Sequence, residues 1–305
     1  MIRTKKINTP QLQTWLKTQP LPTPGAPQYY LRLLRTDAAA FDQIEGSLKE
    51  YIQEAHEDAR RKLRDSLADD LSPFTSSTPD PAENYPAILH KITLKGYWGE
   101  VLAGLLVEHL GAHGKSGWCI PAYLFRHHVV ELQHLENINQ KLRQGENYDP
   151  DAPENKRPGR TGDDVLAFIM GDDGQISDVL VLEAKCVDPH NATILGNAHT
   201  QISETRTPPV DILRLLEILK DYDTTKAKAW RLSLTNYYAS GHKNADRYNG
   251  VSYVCTNPPK QATSWMPHEK PHEKYTTPRK LKGLEIHMPE LDEVIERIYR
   301  SANNG

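Results

Sequence analysis

Two apolar runs joined by the sequence GDDG, all within residues 160–186, constrain the fold more than any other feature of the chain. Asp-Gly between two apolar runs is the strongest short-range signal for a β-hairpin, because a two-residue type I′ turn needs positive φ at both central positions. The sequence therefore predicts a hairpin that turns on Asp173 and Gly174, with Asp172 opposite Gln175.

The antiparallel register of this hairpin brings charged residues together at its open end. Counting back from the turn pairs Asp164 with Glu183, and directly opposed side chains lie about 4.5–5.5 Å apart at Cβ. Side chains alternate between the two faces of a strand, so Lys185 shares the face of Glu183, whereas Asp163 falls on the other face. A bulge would change this register. The other pairs that the count predicts are Leu166 with Val181 and Phe168 with Val179.

Two facing carboxylates repel each other unless a cation or a proton lies between them. Oxygen ligands without clustered His or Cys favour Mg²⁺ or Mn²⁺ over zinc. Lys185 on the same face would hold a water and stabilise charge on a phosphate. Glu100, which follows Gly96 and Gly99 in an apolar helical run, is a further candidate metal or water ligand. The alternative interpretations are a salt-bridged cluster at a strand end and an exposed helical glutamate.

A Ser/Thr/Pro-rich segment over residues 72–86 divides the chain. Before it, the pattern predicts an extended or weakly ordered lead-in over residues 7–28 and one amphipathic helix over residues 41–71. After it, helices and strands alternate, which predicts an α/β fold with a mixed central sheet flanked by helices. We therefore predict a mainly helical N-terminal extension over residues 1–85 and one α/β domain over residues 86–305.

The hydrophobic periodicity of the second region predicts its elements individually. Its predicted helices cover residues 87–110, 129–142, 197–203, 210–223, 226–240 and 289–302. Its predicted strands, besides the hairpin, cover residues 118–125, 250–256 and 284–288.

Composition limits the partners of the protein. The net charge of -3 shows that the chain is not a polycation, so contact with nucleic acid depends on local basic patches. One patch is the first 36 residues, which contain Lys and Arg but no Asp or Glu, and the other is KYTTPRKLKG over residues 274–283. No apolar run approaches the ~20 residues of a membrane helix. The three widely spaced cysteines are typical of reduced packing thiols, and we expect a cytoplasmic protein.

The order and spacing of these charged residues resemble the PD-(D/E)XK, or restriction-endonuclease-like, nucleases. That family has a Glu on its first core helix, an Asp that begins the second strand after a Gly, and Glu-x-Lys on the third strand. The matching residues here are Glu100, Gly162 with Asp163 and Asp164, and Glu183 with Ala184 and Lys185. Gln201 lies where some relatives place an assisting Gln, but no Tyr follows four residues later. The resemblance covers roughly residues 88–300.

The resemblance implies a restriction-endonuclease-like core that cleaves DNA with Mg²⁺ or Mn²⁺. Asp164, Glu183 and Glu100 would be the metal ligands, Lys185 would position the attacking water, and Gln201 and Asp163 would be auxiliary. More narrowly, KGYWGEVLAGLLVEHL, GDDVLAF and EAKC together look like the nuclease subunit of the Hachiman type of antiphage defence system, whose partner is a superfamily 2 helicase. The N-terminal extension would then bind that partner or DNA.

Two other functions stay open from the sequence. The first is a binding or assembly module in which a nuclease-like fold no longer cleaves. The second is an RNA-cleaving nuclease of the toxin type, because the same metal chemistry serves either backbone and no residue here is known to read a 2′-hydroxyl.

Overall fold

A six-stranded mixed β-sheet flanked by helices organises the protein. The computed structural model describes residues 4–23, 25–67, 80, 82–125, 134–135, 137–138, 140–141, 144–156 and 162–300. The strands are β1 (Leu16–Gln19), β2 (Tyr29–Thr36), β3 (Val165–Met170), β4 (Ile176–Val187), β5 (Asp246–Cys255) and β6 (Leu281–His287). The helices of eight or more residues are α2 (Ala38–Ala55), α3 (Glu57–Leu67), α4 (Lys91–Leu110), α5 (Ala192–Ser203), α6 (Ile212–Lys220), α7 (Thr225–Ala239) and α8 (Leu291–Tyr299), and a short α1 covers Thr9–Trp15.

The strand order is β1-β2-β6-β5-β4-β3. The four inner strands β2, β6, β5 and β4 run parallel, and the two edge strands pair antiparallel with their neighbours. Parallel strands need both faces covered, and β4 accordingly packs against α4 and α5. The predicted mixed α/β architecture is therefore confirmed.

The N-terminal residues belong to the same sheet as the rest of the chain. β2 pairs with β6 over residues 29–35, and β1 forms the edge beside β2. The predicted extended lead-in is wrong, because residues 7–28 contain α1 and β1. Its few apolar side chains are buried, and Trp15 packs against Phe41 and Trp98 with ring centroids 5.6 and 6.1 Å apart.

The helix predicted over residues 41–71 is two helices in the described residues. α2 ends at Ala55 and α3 begins at Glu57, with buried His56 between them. The imidazole of His56 stacks on Phe125 with centroids 4.4 Å apart and planes 16° apart. This packing holds the chain at the junction.

Residues 118–125 do not form the predicted strand. Cys119 and Phe168 exchange two backbone hydrogen bonds of 2.9 Å as an isolated bridge. Pro121 has no N–H with which to continue the pairing. The helix predicted over residues 129–142 falls largely outside the described residues, and the other predicted helices and strands of this region are present with shifted ends.

The hairpin forms where it was predicted, but its turn has three residues instead of two. The Gly171 N–H donates to the Gln175 carbonyl at 2.8 Å, and the Gly174 N–H donates to the Gly171 carbonyl at 2.9 Å. Gly174 takes a φ of 75°, which favours glycine. A bulge beside Ile169 then shifts the register by one residue and restores the predicted pairs of Leu166 with Val181 and Phe168 with Val179.

The central helix α4 approaches the sheet closely at Gly99. A Cβ at this position would lie 3.1 Å from the Cβ of Cys186, so any larger residue would push α4 away from β4. Glu100 follows directly, and its position relative to the end of β4 therefore depends on this close packing.

Lys282 on β6 predicts a pH-dependent stability. The residue is buried, its Nζ lies 3.8 Å from the centre of the Tyr30 ring, and burial together with the charge of Arg32 lowers its pKa to about 6. The unfolded chain, with an ordinary Lys pKa of 10.5, binds more protons than the folded chain between these two values. The free energy of unfolding should therefore rise with pH across that window, by up to about 1.4 kcal/mol per pH unit from this residue.

Replacement of Lys282 by methionine should raise stability at neutral pH and flatten this pH dependence. Urea unfolding at several pH values between 6 and 10 measures both effects. Lys280→Met, which changes an exposed lysine two residues away, is the matched control and should leave the slope unchanged. An equal slope in the Lys282→Met variant and the parent would contradict the assignment.

Candidate active site

The open end of the hairpin brings Asp164, Glu183 and Lys185 into contact. Asp164 lies one residue before the last pair of the ladder, Val165 with Leu182. Its Oδ2 accepts a hydrogen bond of 2.8 Å from the Ala184 N–H and lies 3.4 Å from the Lys185 Nζ. The same ammonium group forms an ion pair with Glu183.

Both carboxylates of this cluster belong to buried residues, and Lys185 is half-buried. Burial alone would lower the pKa of Lys185, but the negative charges of Asp164 and Glu183 and the hydrogen bonds to them outweigh it and raise the pKa well above its usual value. Lys185 therefore stays protonated at neutral pH. It can donate hydrogen bonds and offset negative charge.

A cavity of about 680 Å³ adjoins the cluster. Its walls come from the first half of α4, the end of β4 with the loop that follows, and α5. Asp164, Lys185, Glu100 and Gln201 all line it, so four of the residues identified from the sequence face one space. Glu183 is not part of the lining and contacts Lys185 instead.

Asp163 lies away from this cavity. Its N–H donates to the Asp211 carboxylate at 2.8 Å, and the Asp211 N–H donates back to the Asp163 carboxylate at 3.3 Å. These reciprocal bonds tie the start of β3 to the start of α6. Asp163 thus holds the backbone beside Asp164 in place.

Of the three carboxylates predicted as metal ligands, only Asp164 and Glu183 lie in one cluster. Among the residues that the structure describes, no three or more His, Cys, Asp or Glu side chains are grouped closely enough to hold a metal ion, so Glu100 does not join Asp164 and Glu183 in one cluster. Mg²⁺ commonly binds one or two protein carboxylates and keeps several waters. Asp164 and Glu183 already share one cation, Lys185, and their oxygens are of the ligand type that such an ion prefers.

The sequence analysis missed several polar residues of the same cavity. Lys95 on α4 forms ion pairs with Asp292 at 2.5 Å and Asp188 at 3.8 Å, and His190 and Asn197 also line the space. The available signal was the polar sequence DPHN directly after β4, because ligands of parallel sheets bind beyond the carboxyl ends of the strands.

Comparisons with known proteins assign the chain to no family. No protein-family model matches the chain, and no curated protein matches it either. Among the described helices, none combines the length and the apolar character that crossing a membrane requires.

Proposed function

We propose that the protein is a metal-dependent endonuclease that cleaves phosphodiester bonds of DNA and has a PD-(D/E)XK, restriction-endonuclease-like core. The observation that carries the proposal is the contact of Lys185 with both Asp164 and Glu183 on the wall of a cavity that Glu100 also lines. Paired carboxylates beside a protonated lysine are the groups that phosphodiester hydrolysis with a hard metal ion needs.

Asp164 and Glu183 would hold Mg²⁺ or Mn²⁺, and Glu100, which lines the same cavity, would orient a water. When bound, the ion supplies Lewis-acid chemistry and lowers the pKa of water. Lys185 donates hydrogen bonds to the attacking water and offsets the charge that builds on the phosphate. Gln201 adds an amide to the lining of the cavity.

We further propose that the nuclease acts in the cytoplasm as the effector of a bacterial antiphage defence system and works with a superfamily 2 helicase. The support is the resemblance of the α4, β3 and β4 sequences to the nuclease subunit of Hachiman systems. Residues 1–85 would bind the partner or DNA, and their basic start supports that assignment. Co-purification with the products of neighbouring genes tests it.

A substrate panel tests the nuclease proposal. The purified protein is incubated side by side with plasmid, linear DNA and total RNA, in Mg²⁺, in Mn²⁺ and in EDTA. We expect cleavage of DNA in Mg²⁺ and in Mn²⁺, because the cluster offers only oxygen ligands. We expect none in EDTA, because EDTA removes the ion. Cleavage that survives EDTA would contradict the metal mechanism, and cleavage of RNA alone would favour a toxin-type ribonuclease.

A catalytically silent binding or assembly module is the second candidate. The observation in its favour is that Lys185 already neutralises the two carboxylates, as a structural salt bridge would. Calorimetric titration with Mg²⁺ and Mn²⁺ distinguishes the two, because a silent module would bind neither ion at this site.

A further inference from the structure

A stacked pair of rings lies at the cavity, outside the residues used for cleavage. The imidazole of His190 and the indole of Trp265 have centroids 3.7 Å apart and planes within 4° of each other. His190 lines the cavity that Asp164 and Lys185 also line, and both ring residues are half-buried. We call His190 and Trp265 the ring platform.

Hydrogen bonds hold the ring platform from several sides. His190 Nδ1 lies 2.9 Å from the Tyr253 hydroxyl, and the Trp265 Nε1–H donates to the Asn257 carbonyl at 2.7 Å. The Trp265 backbone N–H donates to the carboxylate of Glu285 at 2.8 Å. A flat surface fixed in this way loses little conformational freedom when a ligand binds.

A buried carboxylate, that of Glu285, supports the loop that carries Trp265. Burial of a carboxylate costs free energy unless it is hydrogen-bonded. The residue is fully buried, and its carboxylate accepts hydrogen bonds from the backbone N–H groups of Trp265 and Met266 at 2.8 and 2.7 Å. The His287 ring lies 2.7 Å from the same carboxylate. Buried carboxylates are retained where they are fully hydrogen-bonded, and here those bonds fix the position of Trp265.

The cavity is larger than a metal ion and one phosphate require. Its volume of about 680 Å³ lies within the range of sites for whole small molecules, roughly 300–1,000 Å³. Asn197 and Gln201, four residues apart on one face of α5, line it with side-chain amides. Amides of this kind hydrogen-bond the edges of nucleobases. Trp265 covers one side of the His190 ring, and His190 lines the cavity together with these amides.

We propose that the ring platform stacks with an unpaired base of single-stranded DNA, next to the phosphate that the Asp164, Glu183 and Lys185 cluster receives. A base inside a duplex is already stacked on both faces, so it reaches a side-chain ring in a cavity only when it is unpaired or flipped out. The substrate class is therefore a single strand or a duplex with an unpaired nucleotide. This inference rests on the proposed nuclease function.

The pKa of His190 supports an uncharged contact. Burial lowers this pKa, while the charge of Glu285 opposes the shift, so the ring is neutral at neutral pH. A neutral ring contributes stacking and no ion pair with a phosphate. Its loss should weaken binding without changing the salt dependence, which reports the number of phosphate contacts.

The test measures binding of oligonucleotides by fluorescence anisotropy, with Ca²⁺ replacing Mg²⁺ and with gels to show that the DNA stays intact. His190→Ala should weaken the affinity for single-stranded DNA by about 10-fold and leave duplex affinity and the salt slope unchanged. His190→Phe keeps a flat ring and should restore the affinity. A 2-aminopurine base in the strand should be quenched by the parent and by the Phe variant, but not by the Ala variant.

His242→Ala is the matched control, because His242 is also half-buried and packs on the aromatic Tyr237 but does not line the cavity. Unchanged single-strand affinity and quenching in His190→Ala, with DNA cleavage retained, would overturn the ring platform and leave the nuclease proposal standing. Absence of both DNA binding and cleavage in the parent protein would overturn both.

Discussion

Lys185→Ala is expected to reduce DNA cleavage by at least about 10²-fold while DNA binding and the fold persist. The ammonium group is the positive charge between Asp164 and Glu183, and it faces the cavity in which the phosphate would lie. Without it, the charge that develops on the phosphate loses a protein donor that contacts both carboxylates. Rates in Mg²⁺ with a plasmid substrate, together with circular dichroism and DNA affinity, measure the effect.

The other end of β4 offers a matched control for this variant. Lys115 lies between two carboxylates, forming ion pairs with Asp178 and with Asp246, the latter at 3.3 Å. Lys115→Ala therefore removes a similar ion pair, with Asp178 of the same strand β4, away from the cavity. This variant should keep the cleavage rate of the parent. Nicking of the plasmid by Lys185→Ala at the rate of the parent would exclude the mechanism.

Asp164→Asn and Asp163→Asn should have opposite consequences, although the two residues are adjacent. The amide oxygen that the first variant introduces can still accept the hydrogen bond from the Ala184 N–H, so this variant should fold. It lacks a charged oxygen for the metal, and we expect cleavage and Mg²⁺ binding to fall by at least about 100-fold. The pKa of Lys185 should also fall, because one of the charges that raise it is gone.

Asp163→Asn should retain cleavage and lose stability. The Asp163 carboxylate accepts the Asp211 N–H, and its negative charge also favours the buried Arg247 guanidinium. We expect the free energy of unfolding to fall by about 1–3 kcal/mol. Urea unfolding and plasmid cleavage of both variants, run in parallel, separate the two roles. Loss of cleavage in Asp163→Asn with normal stability would show that the register assigns the wrong aspartate.

The hairpin illustrates how far local sequence rules reach. Alternation and an Asp-Gly turn were enough to predict the pairs of Leu166 with Val181 and of Phe168 with Val179. The two-residue turn was wrong, and the final register agrees only because a bulge beside Ile169 compensates for the longer loop. Turn length and bulges depend on how the strands twist against their neighbours, which the local sequence does not specify.

Contacts between distant segments account for the other differences between the sequence predictions and the structure. β2 reads as a basic stretch, YYLRLLRT, and becomes a strand because β6 and β1 pair with its two edges. Its partner β6 is distant in the sequence, so no pattern within β2 indicates that the two strands pair. The ring platform was missed for the same reason, since His190 and Trp265 meet only through the fold.

The pairing of β2 with β6 also governs when the molecule can be assembled during synthesis. Residues 37–280 separate strand β2 from its parallel partner β6, so β2 leaves the ribosome well before that partner is made. Until then the nascent chain exposes one unpaired edge of β2, and closing so long a loop is slow. The sheet that supports the cavity is therefore incomplete until β6 has been made, and truncation before β6 should leave a chain that depends on chaperones.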